Sequence, residues 1–215
     1  MRMMLALCTL LIATCQPAYA DTTGNLGLTL VNSDWMNISG KFKHSEENGK
    51  WQSNYLASNI YQKTGGVETI NRAFFQFKEN YALNEKGYLI GVAQVDYDKF
   101  RTQYEMRAVT GFGYGHKLLR TDKWKVSNEV SFAYLKSDTN ELIIRNSLWA
   151  QYKISTNLSL VNKFLVESGN NPYIRNSTDL MYQLTEKVSV GVGNTYTDNI
   201  KSKNIFTINL AIKFK

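Results

Sequence analysis

The residues that could do chemistry in this 215-residue chain are few and scattered. Its two histidines, His44 and His116, lie far apart and lack the ligand spacing of a zinc site. Neither has a serine two residues later, the pattern of a lipid-facing hydrolase, and a nucleophile also needs an oriented base. We therefore predict that the chain is not an enzyme and holds no metal and no cofactor. A lipid-modifying enzyme is kept as an alternative.

Charged side chains at alternate positions are the other candidates. They are Glu105, Arg107, Glu129, Arg145 and Lys163. Glu105 and Glu129 could form a catalytic carboxylate pair on adjacent strands, but Arg107, Arg145 or Lys163 are the more natural partners. Charges of both signs on neighbouring strands predict cross-strand ion pairs on the inside of a closed sheet. The same residues would either tune an open pore or lock a narrow one shut.

The elements that must position these charges follow from a two-residue alternation of apolar and polar side chains, which is typical of strands. Short turns rich in Asn, Asp, Gly, Ser and Thr separate the segments. Twelve strands are predicted, at about 24–32, 35–45, 50–62, 68–82, 88–97, 103–118, 124–136, 141–154, 158–168, 173–184, from 188 and 204–214. Four polar turns, beginning at 84, 121, 155 and 185, recur at the spacing of one hairpin.

The last strand carries its apolar residues on one face and ends on an aromatic ring. These residues are Phe206, Ile208, Leu210, Ile212 and Phe214. The pattern resembles the C-terminal assembly signal of bacterial outer-membrane β-barrels, except that Lys215 follows the aromatic. A closing strand of a soluble all-β domain would show the same alternation.

The N-terminus reads as an export signal. Residues 1–20 combine Arg2, a short apolar run and an Ala18-Tyr19-Ala20 cleavage site. Both cysteines lie in this segment, so the predicted mature domain, 21–215, has no disulfide. The net charge of +7 is spread singly among acids, so we predict no nucleic-acid partner.

Together these features predict an all-β fold, an antiparallel transmembrane β-barrel of about 12 strands in the outer membrane. A span needs ~9–11 tilted residues per strand, and the strand number is even. The expected partners are outer-membrane lipid and, transiently, the barrel assembly machinery, and we expect a monomer. A soluble periplasmic lipocalin-like barrel that binds an apolar ligand is the first alternative, and an outer-membrane lipid-modifying enzyme is the second.

Several diffuse motifs resemble the DUF481 family, whose members are described as salt-induced outer-membrane proteins. They are Gly87-Tyr88-Leu89, the run 95–100, the glycine-rich run 110–115 and the ending 210–214, together with the early segment 25–30. The resemblance implies an outer-membrane barrel without established catalytic residues. We predict a role in envelope structure, or in passage of small solutes under osmotic or acid stress, and the association with stress comes from the family description alone.

Overall fold

The computed structural model describes residues 20–30, 35–100, 105–138, 140–170, 172–198 and 203–214. The predicted signal segment lies outside these residues, apart from Ala20. In the described ranges the chain forms twelve strands. They are β1 (Ala20–Leu30), β2 (Trp35–Asn48), β3 (Trp51–Thr64), β4 (Val67–Ala82), β5 (Gly87–Asp98), β6 (Met106–Arg120), β7 (Trp124–Lys136), β8 (Asn140–Lys153), β9 (Leu158–Ser168), β10 (Tyr173–Gln183), β11 (Val188–Asp198) and β12 (Lys203–Phe214).

Every strand pairs antiparallel with its neighbours in sequence, and β1 also pairs with β12, so the sheet closes into a barrel. Closure pairs Thr22–Leu26 with Leu210–Phe214. The predicted all-β, twelve-stranded fold is confirmed. A closed sheet leaves few backbone amides without a partner, and hydrocarbon requires this of any structure that crosses it.

The outer face of the barrel is apolar. Phe112, Leu142 and Phe206 expose 72%, 81% and 75% of their surface there. In the closing strand, Ile208 and Leu210 are exposed on the same side as Phe206. A soluble barrel keeps such residues inside, so the alternation here has the opposite polarity.

A few amides interrupt this apolar surface, and they bond to one another. Asn128 on β7 donates to Asn146 on β8 at 3.2 Å. Asn162 on β9 donates to Asn176 and Thr178 on β10 at 2.7 and 2.8 Å. All five residues alternate with inward-facing neighbours, so these bonds satisfy polar groups on the outer wall.

The four recurring polar turns share one hydrogen-bonding scheme. In each, a side-chain oxygen accepts the amide of the residue three positions later: Asn84 from Gly87, Thr121 from Trp124, Ser155 from Leu158 and Thr185 from Val188, at 2.7 to 3.1 Å. The predicted hairpin repeat is therefore a repeated capping interaction. The tighter turns after β2 and β3 use Gly49, Gly65 and Gly66, whose positive φ angles suit two-residue hairpins.

A β-bulge departs from the predicted alternation in β6. Lys117 pairs with Ser127 and Leu119 with Val126, which leaves Leu118 as an extra residue. Leu118 and Leu119 are both exposed, at 57% and 42%. The strict two-residue period therefore ends at Lys117, because a bulge places two residues opposite one.

Candidate functional site in the barrel lumen

The inward-facing side chains define the candidate site. Arg107, Val109, Arg145 and Glu167 are among the most buried residues, at 1%, 2%, 6% and 3% exposure. They lie on β6, β8 and β9, at positions that alternate with the exposed apolar residues of the outer face. The charged face therefore points into the lumen.

Arg107 is the centre of an ion-pair network. Its Nε lies 3.3 Å from Asp96 Oδ2, the cross-strand neighbour on β5. Its Nη2 donates to Glu167 on β9, so the side chain passes over the inner faces of β7 and β8. Its guanidinium carbon lies 4.8 Å from the centre of the Tyr173 ring. Arg107 on β6 thus contacts its neighbour β5 and also the more distant strands β9 and β10.

Arg145 completes the same network from β8. Its Nε lies 2.8 Å from Glu167 Oε1, and its Nη2 donates to Gln94 Oε1 at 2.9 Å. Gln94 in turn donates to Asp96 and accepts from Gln76. Glu167 therefore sits between two arginines, which is the arrangement that stabilises a buried carboxylate.

Below this layer, toward the turn at 84–87, a second group surrounds Glu129. The carboxylate accepts from Lys78 on β4 and, at 2.8 Å, from the hydroxyl of Tyr88 on β5. The Tyr88 ring reaches β7 by crossing Gly115 of β6, whose missing side chain leaves the space. Gly115 is thus explained by close packing of a lumen side chain, whereas Gly111 and Gly113 lie close to the backbone of the adjacent strand β7.

The ion-pair network on β4 to β9 is electrically balanced. Arg72 and Asp98 add a further pair at 2.7 Å. The four cations in its ion pairs are matched by four carboxylates: Arg72, Lys78, Arg107 and Arg145 with Asp96, Asp98, Glu129 and Glu167. The buried apolar cluster of Val109, Ala133, Leu135 and Ile143 lies beside this network, and such a low-dielectric neighbourhood strengthens its ion pairs.

The lumen near Lys163 has a different character. Lys163 lies on β9, four residues from Glu167 on the same inner face, yet its side chain is exposed. Lys43 on β2 is also exposed and shares the inward parity of Lys41. An inward-facing side chain is accessible only where its neighbours leave part of the lumen unfilled.

Five charged residues form this second region, which we call the Lys163 cluster: Lys41, Lys43, Lys163, Arg175 and Asp179. The charges that act on the Lys163 ammonium are those of the other four. Arg175 extends from β10 across the barrel, where its guanidinium carbon lies 5.6 Å from the Phe74 ring centre on β4. The cluster therefore has four cations and one carboxylate.

The five predicted lumen charges occupy four different settings. Arg107 and Arg145 meet in one network through Glu167, and Glu129 lies in the neighbouring group with Lys78. Lys163 belongs to its own cluster. Glu105 is exposed and precedes β6, where its backbone carbonyl accepts a hydrogen bond from the Asp98 amide.

Sequence reasoning did not single out Asp96, Asp98 or Gln94 on β5, nor Lys41 and Lys43 on β2. The two-residue period could have placed all of them inside, because each shares its parity with a lumen residue of its own strand. The contacts that these residues make across the barrel leave no pattern in the sequence.

The two histidines lie on the outer face beside tyrosines. The His44 and Tyr55 ring centres are 5.9 Å apart, and the Tyr114 hydroxyl lies 3.1 Å from His116 Nδ1. Among the described residues, no group of three or more His, Cys, Asp or Glu side chains could hold a metal ion. No helix in the described ranges is long and apolar enough to cross a membrane.

A family model with the description "Protein of unknown function, DUF481" matches residues 25–207, which is most of the chain. The chain belongs to the DUF481 family. No curated protein matches it significantly.

Solved structures place this DUF481 protein among outer-membrane barrels by fold. The NanC porin superposes with a TM-score of 0.59 at 13% identity, covering 91% of this chain and 100% of the porin. The KdgM porin superposes with a TM-score of 0.54 at 8% identity, covering 92% of this chain and 100% of the porin. The COG4313 outer-membrane channel from Pseudomonas putida F1 superposes with a TM-score of 0.54 at 10% identity, covering 94% of this chain and 97% of the channel. At these identities the likeness concerns the fold alone.

Proposed function

We propose that this protein resides in the bacterial outer membrane and passes small solutes through a narrowed lumen. The apolar outer face supports the membrane location, because large side chains such as Phe112 and Leu142 would otherwise face water. The same face argues against the soluble lipocalin-like alternative. The structural neighbours are porins and channels, and no catalytic constellation is present among the described residues, so transport is preferred to lipid modification.

The observation that carries the proposal is the contrast between the two parts of the lumen. The β4–β9 wall is filled by buried ion pairs, with Arg107 and Glu167 joined across two intervening strands. Exposed Lys43 and Lys163 mark open space elsewhere inside the barrel. A partly filled lumen of this kind restricts passage to small solutes.

Planar-bilayer recording of the refolded mature chain tests the proposal. A shift in gel mobility between boiled and unboiled samples would first establish that the barrel is folded. Discrete conductance steps are expected, and liposome swelling should admit small sugars but not large oligosaccharides. Retention in carbonate-washed membranes would support integral insertion, whereas full release would contradict it.

Envelope structure is the second candidate, and the crossing of the lumen by Arg107 favours it. In that case a demonstrably folded barrel would be electrically silent. Comparing growth of deletion and wild-type cells under osmotic or acid stress would then measure the physiological role, which the family resemblance connects with such conditions.

A further inference from the structure

We propose that the Lys163 cluster is a binding site for small organic anions, so that the barrel selects carboxylate- or phosphate-bearing solutes. This inference rests on the proposed passage function and names its class of solute. It follows from the position of the cluster, its charge balance and the aromatic ring beside it.

The strand register places three members of the cluster, Lys163, Arg175 and Asp179, on one inner surface, and Lys41 and Lys43 face them from β2. Lys163 lies opposite Ser177 of β10, and Arg175 and Asp179 stand two residues to either side of Ser177. Such diagonal neighbours on adjacent strands are within reach of long side chains. Arg175 demonstrably faces inward, because it packs over Phe74 on β4.

The charge balance distinguishes the cluster from the rest of the lumen. The ion-pair network on β4 to β9 matches each of its four cations with a carboxylate. In the Lys163 cluster, Lys41, Lys163 and Arg175 lie around the carboxylate of Asp179, whose charge acts on both Lys41 and Lys163. Within the described part of the chain, no carboxylate lies within 4.0 Å of the Lys163 ammonium. A net positive, open surface between low-dielectric walls concentrates anions.

An aromatic ring extends the site on the side of β8. Trp149 is the cross-strand partner of Lys163 and shares the inward parity of Arg145. The ring offers an apolar platform next to an ammonium group. An anion that also has a ring or another apolar face, such as a uronic acid, could therefore contact both groups, whereas chloride could contact only the cations.

Reversal potentials in a potassium chloride gradient test the charge argument. The wild-type barrel should prefer chloride, and Lys163→Glu should reduce or reverse this preference. Lys86→Glu makes the same charge change in an exposed turn between β4 and β5, and it should leave the preference unchanged. Equal selectivity in the wild type and K163E would overturn the inference while leaving passage intact.

Block of the chloride current tests the binding argument, with glucuronate compared to uncharged glucose. Glucuronate should block at a lower concentration than glucose. Lys163→Gln should raise the half-blocking concentration of glucuronate about tenfold, as expected for one lost charge-assisted contact. Trp149→Ala should weaken block by glucuronate without changing chloride selectivity.

A silent barrel would refute passage, and a calorimetric titration of the folded barrel with glucuronate would then decide the site separately. Binding that K163Q weakens would keep the anion site in a barrel that does not conduct. No detectable binding, or equal binding by K163Q, would overturn it.

Discussion

The ring of Tyr88 fills the space above Gly115, where an added Cβ would come within 2.3 Å of two ring atoms. The glycine is therefore needed for packing. It allows a side chain from β5 to pass over β6 and bond to Glu129 on β7 at 2.8 Å. A strand position without a side chain thus lets two strands that are not adjacent interact.

Replacing this glycine should destabilise the barrel. In Gly115→Ala the new methyl group displaces the Tyr88 ring, and we expect a loss of about 1–3 kcal/mol, as for other overpacked sites. The measurement is equilibrium unfolding in detergent or lipid vesicles. Gly91→Ala is the matched control, because a Cβ at Gly91 meets nothing within 4 Å. Equal unfolding free energies for the two variants would contradict the role of Gly115.

Neutralising Glu167 should be among the most damaging single changes in the lumen. Glu167→Gln leaves Arg107 and Arg145 facing each other without the carboxylate that both contact. Removing one member of a buried ion pair typically costs about 3–5 kcal/mol. The same change in the more exposed ion pair at the barrel rim, Glu68→Gln, should cost far less, because water and salt screen that pair.

Urea titrations of the two glutamine variants give this comparison directly. If E167Q unfolded at the same urea concentration as E68Q, the network around Arg107 would contribute nothing to stability. Conductance recorded from the same samples would show whether loosening the network also widens the passage.

The ion pair between Lys99 and Glu68 at the barrel rim should make a pH-dependent contribution to the stability of the fold. The hydrogen bond donated by Lys99 lowers the pKa of Glu68 below its ordinary value. A carboxylate with a lowered pKa in the folded state stabilises the fold above its ordinary pKa, and that contribution is lost as the pH falls through the lowered value. NMR titration of the Glu68 side chain should therefore show a low midpoint. Lys99→Gln should return it toward that of a free glutamate, and an unchanged midpoint would refute the assignment.

The paired amides on the outer face should behave as a coupled unit. Asn146→Leu removes the partner of Asn128 and leaves an amide unpaired against lipid, which should cost about 1–3 kcal/mol. The double variant N128L/N146L replaces both polar groups with apolar ones, so it should recover most of this loss. Unfolding free energies in lipid vesicles supply the double-mutant cycle. Purely additive effects would show that the two amides do not support each other.

The alternation of side chains was enough to predict the strands, because the two faces of the sheet impose opposite polarities on successive residues. It did not show which face points inward, since a soluble barrel has the same alternation. The polar turns could also be predicted, because each is held by a hydrogen bond between residues three positions apart. The side chains that accept these bonds are Asn84, Thr121, Ser155 and Thr185. The bulge at Leu118 was not predictable, because one extra apolar residue in a strand end leaves the composition unchanged.

The sequence could predict which side chains share the lumen face, but not which residues they contact there. Parity placed Arg107 and Arg145 inside, whereas their meeting at Glu167 depends on barrel curvature and side-chain length. The charge imbalance around Lys163 depends equally on strands far apart in the chain, since Lys43 on β2 and Lys163 on β9 come together only in the closed barrel.

The closing ladder joins Thr22–Leu26 to Leu210–Phe214, whereas β1 pairs with β2 along its entire length, from Ala20 to Leu30. Under a lateral force, this short β1–β12 pairing is the place where the barrel would open first. A disulfide between cysteines introduced at Asn25 and at its register partner Ala211 would hold β1 and β12 together. Pulling experiments with and without this disulfide would distinguish the force that separates β1 from β12 from the force that extracts a hairpin.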